Sequence, residues 1–325
     1  LGFRCLDLAA AQFAIHVCTF EDLIVQDAII HGNKDGVHLG RGKRFIIRDC
    51  VFNTFDDAVA LNAHDYATSN PELGWIEDGV VENCHDLPNG DDKIGFFCRI
   101  LAGAWREWQS GMSVQHSDTV ISNERLYRVA MEADGKSFTS TTPPTHHQGK
   151  VTLDGITWTM IQEDVCTTAG VRNVTFRNIY LSRPRTSFSI HFDSGRFSRS
   201  YYPGSDVPVQ QRLQFEGIRV LHDQDVPFLN MATPVDVVQI KDSVLRRNTI
   251  QVRGSSEIDQ FLTTHLSLRG TVFEAAGNFL LLQNTQPNRC IQLKLSDSIA
   301  VAPDFKAMIE EGPGKVQVAS DLPIC

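Results

Sequence analysis

Short runs of alternating apolar and polar residues recur along the chain, and most of them end on Asp, Asn or Gly. The unit is apolar-x-apolar-x-Asp/Asn/Gly. It reads Leu23-x-Val25-x-Asp27, Phe45-x-Ile47-x-Asp49 and, with Gly79 in the first apolar place, Gly79-x-Val81-x-Asn83. Thr119-x-Ile121-x-Asn123, Val151-x-Leu153-x-Gly155, Val174-x-Phe176-x-Asn178 and Leu213-x-Phe215-x-Gly217 follow. Val238-x-Ile240-x-Asp242, Leu266-x-Leu268-x-Gly270, Leu293-x-Leu295-x-Asp297 and a weaker Val316-x-Val318-x-Ser320 complete the series. Period-two alternation turns the apolar pair to one face of a strand. The last residue falls where the chain bends, because Gly tolerates unusual φ and Asp or Asn bonds the local backbone.

The shortest separations, such as Leu23 to Phe45, match one coil of a β-solenoid with three short strands per turn. The pattern predicts an all-β fold, a right-handed parallel β-helix of roughly ten coils stacked about 4.8 Å apart. It predicts a single domain over 1–325, with no N-terminal cap. Helical periodicity is confined to Phe305 to Glu311, and Asn89-Gly90 is the one hairpin signal that stands out. The long separations mark insertions at Asn62 to Trp75, Arg99 to Asp118, Glu132 to Lys150 and Asp193 to Arg212. These hold Tyr66, Trp75, Trp105, Trp108, His146, His147 and Arg196. Flat aromatics with His and Arg donors suit a sugar-binding cleft; the competing role is to pin the loops onto the scaffold.

Counted from the first apolar residue, the same place in the first three copies is held by Asp35, Asp57 and Asp91, and Asp56 stands beside Asp57. Stacked carboxylates raise at least one pKa. A carboxyl that keeps its proton beside an ionised one is what glycosidic bond cleavage requires. An Asp ladder that only caps corners is the alternative. The doublet argues against it, since a corner needs one Asp.

At these residues the chain resembles the polygalacturonase-like enzymes of glycoside hydrolase family 28. Asn33-Lys34-Asp35-Gly36 corresponds to the family's Asn-Thr-Asp-Gly, and Phe55-Asp56-Asp57 to its Gly-Asp-Asp, with Ala58-Val59-Ala60-Leu61 after it. The resemblance implies Asp56 as general acid, with Asp35 and Asp57 holding the attacking water and inversion at the anomeric carbon. Inversion calls for about 6.5–9.5 Å between the acid and a partner. The resemblance also implies pectin-type substrates and a secreted or periplasmic setting. The family's Gly-His-Gly and Arg-Ile-Lys are missing, and the lost Lys favours a neutral sugar or a different uronate-binding arrangement. His64 and His85 lack the glycine frame, and Arg99-Ile100-Leu101 is a partial echo. Candidate substrate-binding residues are therefore His64, Asp91, Arg99, Trp105, His191 and Arg196, with His191 and Asp193 on one strand.

Composition narrows the rest. Of 325 residues, 42% are apolar and 21% charged, which excludes wholesale disorder. A net charge of −9 opposes nucleic-acid binding, and no apolar run spans a bilayer. The opening at Leu1 has neither Met nor a charged n-region and reads as a processed chain. Eight cysteines without a C-x-x-C suggest no zinc site; Cys290 with Cys325 is the first candidate for a bridge, against buried free thiols. His146-His147 with Glu163 or Asp164 lacks ligand spacing, and no phosphate or dinucleotide motif appears, so no metal or cofactor is expected. The partner expected is a carbohydrate. An open first coil leaves room for a cap or a partner chain, and so for a homo-oligomer. A polysaccharide lyase and a non-catalytic carbohydrate-binding solenoid stay open as alternatives to a hydrolase.

Overall fold

The computed structural model describes residues 1–10, 12–90, 94–246, 249–253, 262–274, 278–301, 306–310 and 312–322. Among these, every regular element apart from turns is a β-strand, and no helix is long and apolar enough to cross a membrane. The segment Phe305 to Glu311 supplies a strand, Lys306–Glu310, instead of the expected helical turn.

One parallel ladder takes its strands in chain order. They are Gly2–Ala10, Phe20–Gly32, Gly42–Arg48, Ile76–Asp86, Val171–Leu181, Gln211–Glu216, Val237–Lys241, Leu262–Arg269, Arg289–Ser296 and Lys315–Ser320. A second parallel ladder runs through Ile15–Val17, Val37–Leu39, Val59–Asn62, Cys98–Ala104 and Phe188–Phe192. It continues through Leu229–Met231, Ile250–Val252, Asn278–Asn284 and Lys306–Glu310.

The repeat explains the register. Val25, Ile47, Val81, Phe176, Phe215, Ile240, Leu268 and Leu295 lie directly opposite one another on successive strands, and all are buried. Phe176 and Phe215 stack with 5.3 Å between ring centroids. Gly79 interrupts the apolar column because the Phe45 ring fills that space; a Cβ there would lie 2.0 Å from Phe45 Cζ. The last residue of the unit makes the bend. Asp27, Asp49, Asn83, Asn178, Asp242 and Asp297 have φ between 47° and 54°. Their side chains also bond from rung to rung: Asn83 Nδ2 donates to Asp49 Oδ1 at 3.0 Å, and Asn178 Nδ2 to Asn83 Oδ1 at 3.1 Å.

Two copies of the unit do not belong to the ladder. Thr119–Ser122 and Lys150–Leu153 lie in a separate sheet with Arg106–Glu107, Arg125–Val129 and Ile156–Gln162, in which most pairs are antiparallel. Val81 pairs directly with Phe176, so this sheet is one insertion between adjacent rungs. Alternation alone does not separate the two settings, since a half-buried antiparallel strand has the same period. Asn123 and Gly155 also have positive φ here, but at hairpin turns. The insertion has its own core around Val120, Tyr127, Ile156 and Trp158. In this structure the seven described cysteines stand in the reduced, unbridged state, and Cys325 lies outside the described residues.

Candidate active site

The strands Val37–Leu39 and Val59–Asn62 pair with Val37 opposite Val59. Asp35 and Asp57 each stand two residues before these positions, and Gly36 N donates to Asp57 O at 2.8 Å. The two acids are therefore ladder neighbours. Asp56 occupies the corner just before, where its N–H faces Lys34 O at 3.4 Å. One oxygen from each of Asp35, Asp56 and Asp57 lies within 4.8 Å of the others. This is closer than the 6.5–9.5 Å expected for an acid and base that flank a water, and it follows from ladder spacing.

Phe96 takes the third place in the column, where the repeat spacing predicts Asp91. Its N–H donates to Asp57 Oδ1 at 2.9 Å, and Ala58 N donates to Phe96 O. The segment before Phe96 is longer than in the earlier copies, which moves the register. Asp91 itself lies outside the described residues. Gly95 rests on the Asp56 backbone at φ +69°, where a Cβ would lie 2.5 Å from Asp56 C.

The three acids differ in access. Asp35 and Asp57 are sealed, while Asp56 is half-buried. Asp35 Oδ2 accepts from His38 Nδ1 at 2.8 Å, and both side chains are buried. Asp35 Oδ1 and Asp57 Oδ2 accept no hydrogen bond from the described residues. Burial, then the negative charge of Asp35, raises the Asp56 carboxyl above its ordinary pKa. Burial, then Asp35 and Asp56, holds the Asp57 carboxyl well above it.

Two buried arginines fix the corner from two rungs on. Arg183 donates to the carbonyls of Thr54 and Phe55. Arg185 donates to Asp56 O at 2.6 Å and Ile94 O at 3.2 Å, and makes a bidentate pair with Asp86. Lys34 lies between the Phe13 and Tyr66 rings, 5.0 and 5.1 Å from their centroids, and bonds Tyr66 Oη at 2.9 Å.

Arg99 belongs to this site. It stands in register with Ala60 and Ser189, and Ala60 in turn with His38. Arg99 Nη2 pairs with Asp193 Oδ2 at 3.2 Å, and Nη1 lies 3.9 Å from Asp65 Oδ2. Burial works against its charge, but Asp57, Asp65, Asp193 and Asp35 outweigh it and hold the guanidinium above its ordinary pKa. His191 lies beside Phe96, 6.0 Å between ring centroids, and bonds Ser189 Oγ at 3.0 Å. Burial, then Arg99, lowers its pKa to about 3, so it is neutral at physiological pH.

The other expected residues are placed elsewhere. His64 is fully buried against Trp105 and bonds Thr119 Oγ1 at 3.3 Å. Trp105 is buried with Ala63, Leu73, Ile121 and Leu126, and its Nε1 donates to Cys166 O. Both join the inserted sheet to the ladders rather than line an opening. Trp108 bonds Ser140 within the insertion, and Trp75 lies under the Arg172 guanidinium. Arg196 donates to Ala133 O at 2.8 Å and lines a separate cavity with His116, Asp134 and Arg199. The sequence reading passed over His38, Lys34, Asp65, Arg183 and Arg185 as site residues. Usable signals were His38 three residues after Asp35 and the pair of arginines around Pro184.

Comparison with known protein families finds no family model that matches the chain, and comparison with curated proteins finds no match.

Proposed function

We propose that the chain is a single-domain right-handed parallel β-helix of about ten coils that hydrolyses a glycosidic bond of a polysaccharide or oligosaccharide. Two parallel ladders advancing together in chain order support the β-helix reading. Parallel crossovers are right-handed in about 98% of cases. The observation that carries the activity is the meeting of Asp35, Asp56 and Asp57 within 4.8 Å, with Asp56 alone reaching solvent among the three.

Asp56 serves as the general acid. Its raised pKa keeps a proton available, and its half-exposed position lets it meet a leaving oxygen. Burial also raises the Asp57 carboxyl well above its ordinary pKa, but Asp56 is the acid of the three that is open to a leaving group. Asp35 and Asp57, buried within 4.8 Å of the half-exposed Asp56, act on an attacking water that reaches them along the Asp56 side. A water with two hydrogen bonds of about 2.8 Å at a tetrahedral angle bridges oxygens roughly 4.6 Å apart, inside the 4.8 Å limit within which the acids meet. Inversion is what the family resemblance implies, not what the spacing supports, since the three acids stand closer than the roughly 6.5–9.5 Å usual for an inverting pair; the anomer released decides it. The setting proposed is secreted or periplasmic, and pectin-type glycans head the substrates to try.

A lyase is the second reading, because three carboxylate oxygens at this spacing also suit a divalent cation. A panel of polysaccharides with NMR of the products separates the readings. Hydrolysis with an inverted anomer supports the proposal. An unsaturated, ultraviolet-absorbing product that needs a cation supports the lyase, and binding without cleavage leaves a carbohydrate-binding scaffold.

A further inference from the structure

We propose that Cys50 and Cys84 form a disulfide that staples the strand leading to the acid corner to the strand that anchors Arg185. Val51 pairs with His85, and His85 N donates to Cys50 O at 2.9 Å, so Cys50 and Cys84 stand opposite each other on adjacent strands. Parallel neighbours lie about 4.8 Å apart, inside the range of roughly 4.4–6.8 Å between Cα atoms that a disulfide spans. Both side chains are fully buried. Each thiol reaches a carbonyl two residues earlier, Cys50 to Arg48 O at 3.1 Å and Cys84 to Glu82 O at 3.2 Å. Cys98 lies in the other ladder opposite Val59 and Phe188, so register selects the partner.

The location gives the bond a consequence. Cys50 precedes the strand Val51–Thr54, which leads to Asp56 and Asp57. Cys84 stands two residues before Asp86, the carboxylate that grips Arg185. A bond here ties the acid corner to its anchor without touching the acids, and it holds whether or not the chain cleaves a glycan.

The oxidant is a small disulfide such as glutathione disulfide. The Cys50 thiolate attacks one glutathione sulfur and releases the first glutathione thiolate. The Cys84 thiol then loses its proton and attacks the Cys50 sulfur, releasing the second. Two electrons pass from the cysteine pair to the glutathione disulfide, which becomes two glutathiones. Because both thiols are buried in the closed structure, the exchange belongs to folding, before the strands close.

The test refolds the full chain from urea in a glutathione redox buffer, blocks free thiols without reduction, and maps peptides. No Lys or Arg lies between Asp49 and Lys93, so trypsin leaves both cysteines in one peptide. The bond appears as the loss of two hydrogens, and as joined fragments after further cleavage at Glu72 and Glu77. The oxidised chain melts roughly 5 °C above the fully reduced one, a difference absent in Cys84→Ala and kept in Cys98→Ala. Blocking of both Cys50 and Cys84 in the refolded wild type, or a bond from Cys50 to another cysteine, overturns the proposal.

Discussion

Arg185 grips Asp86 through two N–H···O bonds of 3.1 and 2.8 Å, both side chains 1% exposed, and extends Nη1 to the carbonyl of Asp56 at 2.6 Å. The arginine thus fixes the backbone from which Asp56 projects, and Asp86 fixes the arginine. A buried pair of this kind is costly to break from one side, because the remaining charge is stranded.

Arg185→Met is therefore expected to destabilise the fold by about 3–5 kcal/mol in urea unfolding, and Asp86→Asn by a similar amount. Replacing both together is expected to cost less than the two single changes summed, which a double-mutant cycle reads directly.

Stability should depend on pH through Asp57. Its native pKa is raised by burial, so the folded state binds more protons than the unfolded chain, whose Asp titrates near 3.9. The sign is that stability falls as pH rises from about 4 to the raised native value, and the loss is constant above it. Asp57→Asn removes this penalty. It is expected to melt higher than wild type at neutral pH, to match it below about pH 4, and to lose most turnover. Thermal scans at both pH values check the first two outcomes.

The aromatic residues of the insertion divide from the site by mutation. Trp105→Ala is expected to cost about 3–5 kcal/mol of stability and leave KM unchanged, since the side chain is buried in a core. Arg99→Lys should do the reverse, raising KM with a small change in melting, because Arg99 holds Asp193 and Asp65 beside the acids.

These contrasts mark what the sequence made legible. Val25, Ile47 and Val81 could be placed from alternation, because one strand face must be apolar in any packed sheet. Asp35, Asp56 and Asp57 could be brought together because the first two copies have no insertion to shift register. Beyond Asp57 an insertion intervenes, and Phe96 rather than Asp91 meets the column. Trp105 and His64 were misplaced because an inserted sheet needs a core of its own, and aromatics in a loop-length segment serve a core or a cleft equally well. Arg183 and Arg185 stayed hidden because what links them to the acids is their bonding to the backbone carbonyls of Thr54, Phe55 and Asp56, far away in sequence.

Asp56 as proton donor is the central claim, and turnover of Asp56→Asn on two substrates tests it most directly. The substitution keeps the shape and removes the transferable proton. On a glycan with a poor leaving group, turnover is expected to fall by about 10²–10⁴-fold with KM little changed. On an aryl glycoside with a very good leaving group, much of that loss is expected to be recovered, and the fall in rate at higher pH should disappear. Near-wild-type turnover of Asp56→Asn on the natural linkage would contradict the account.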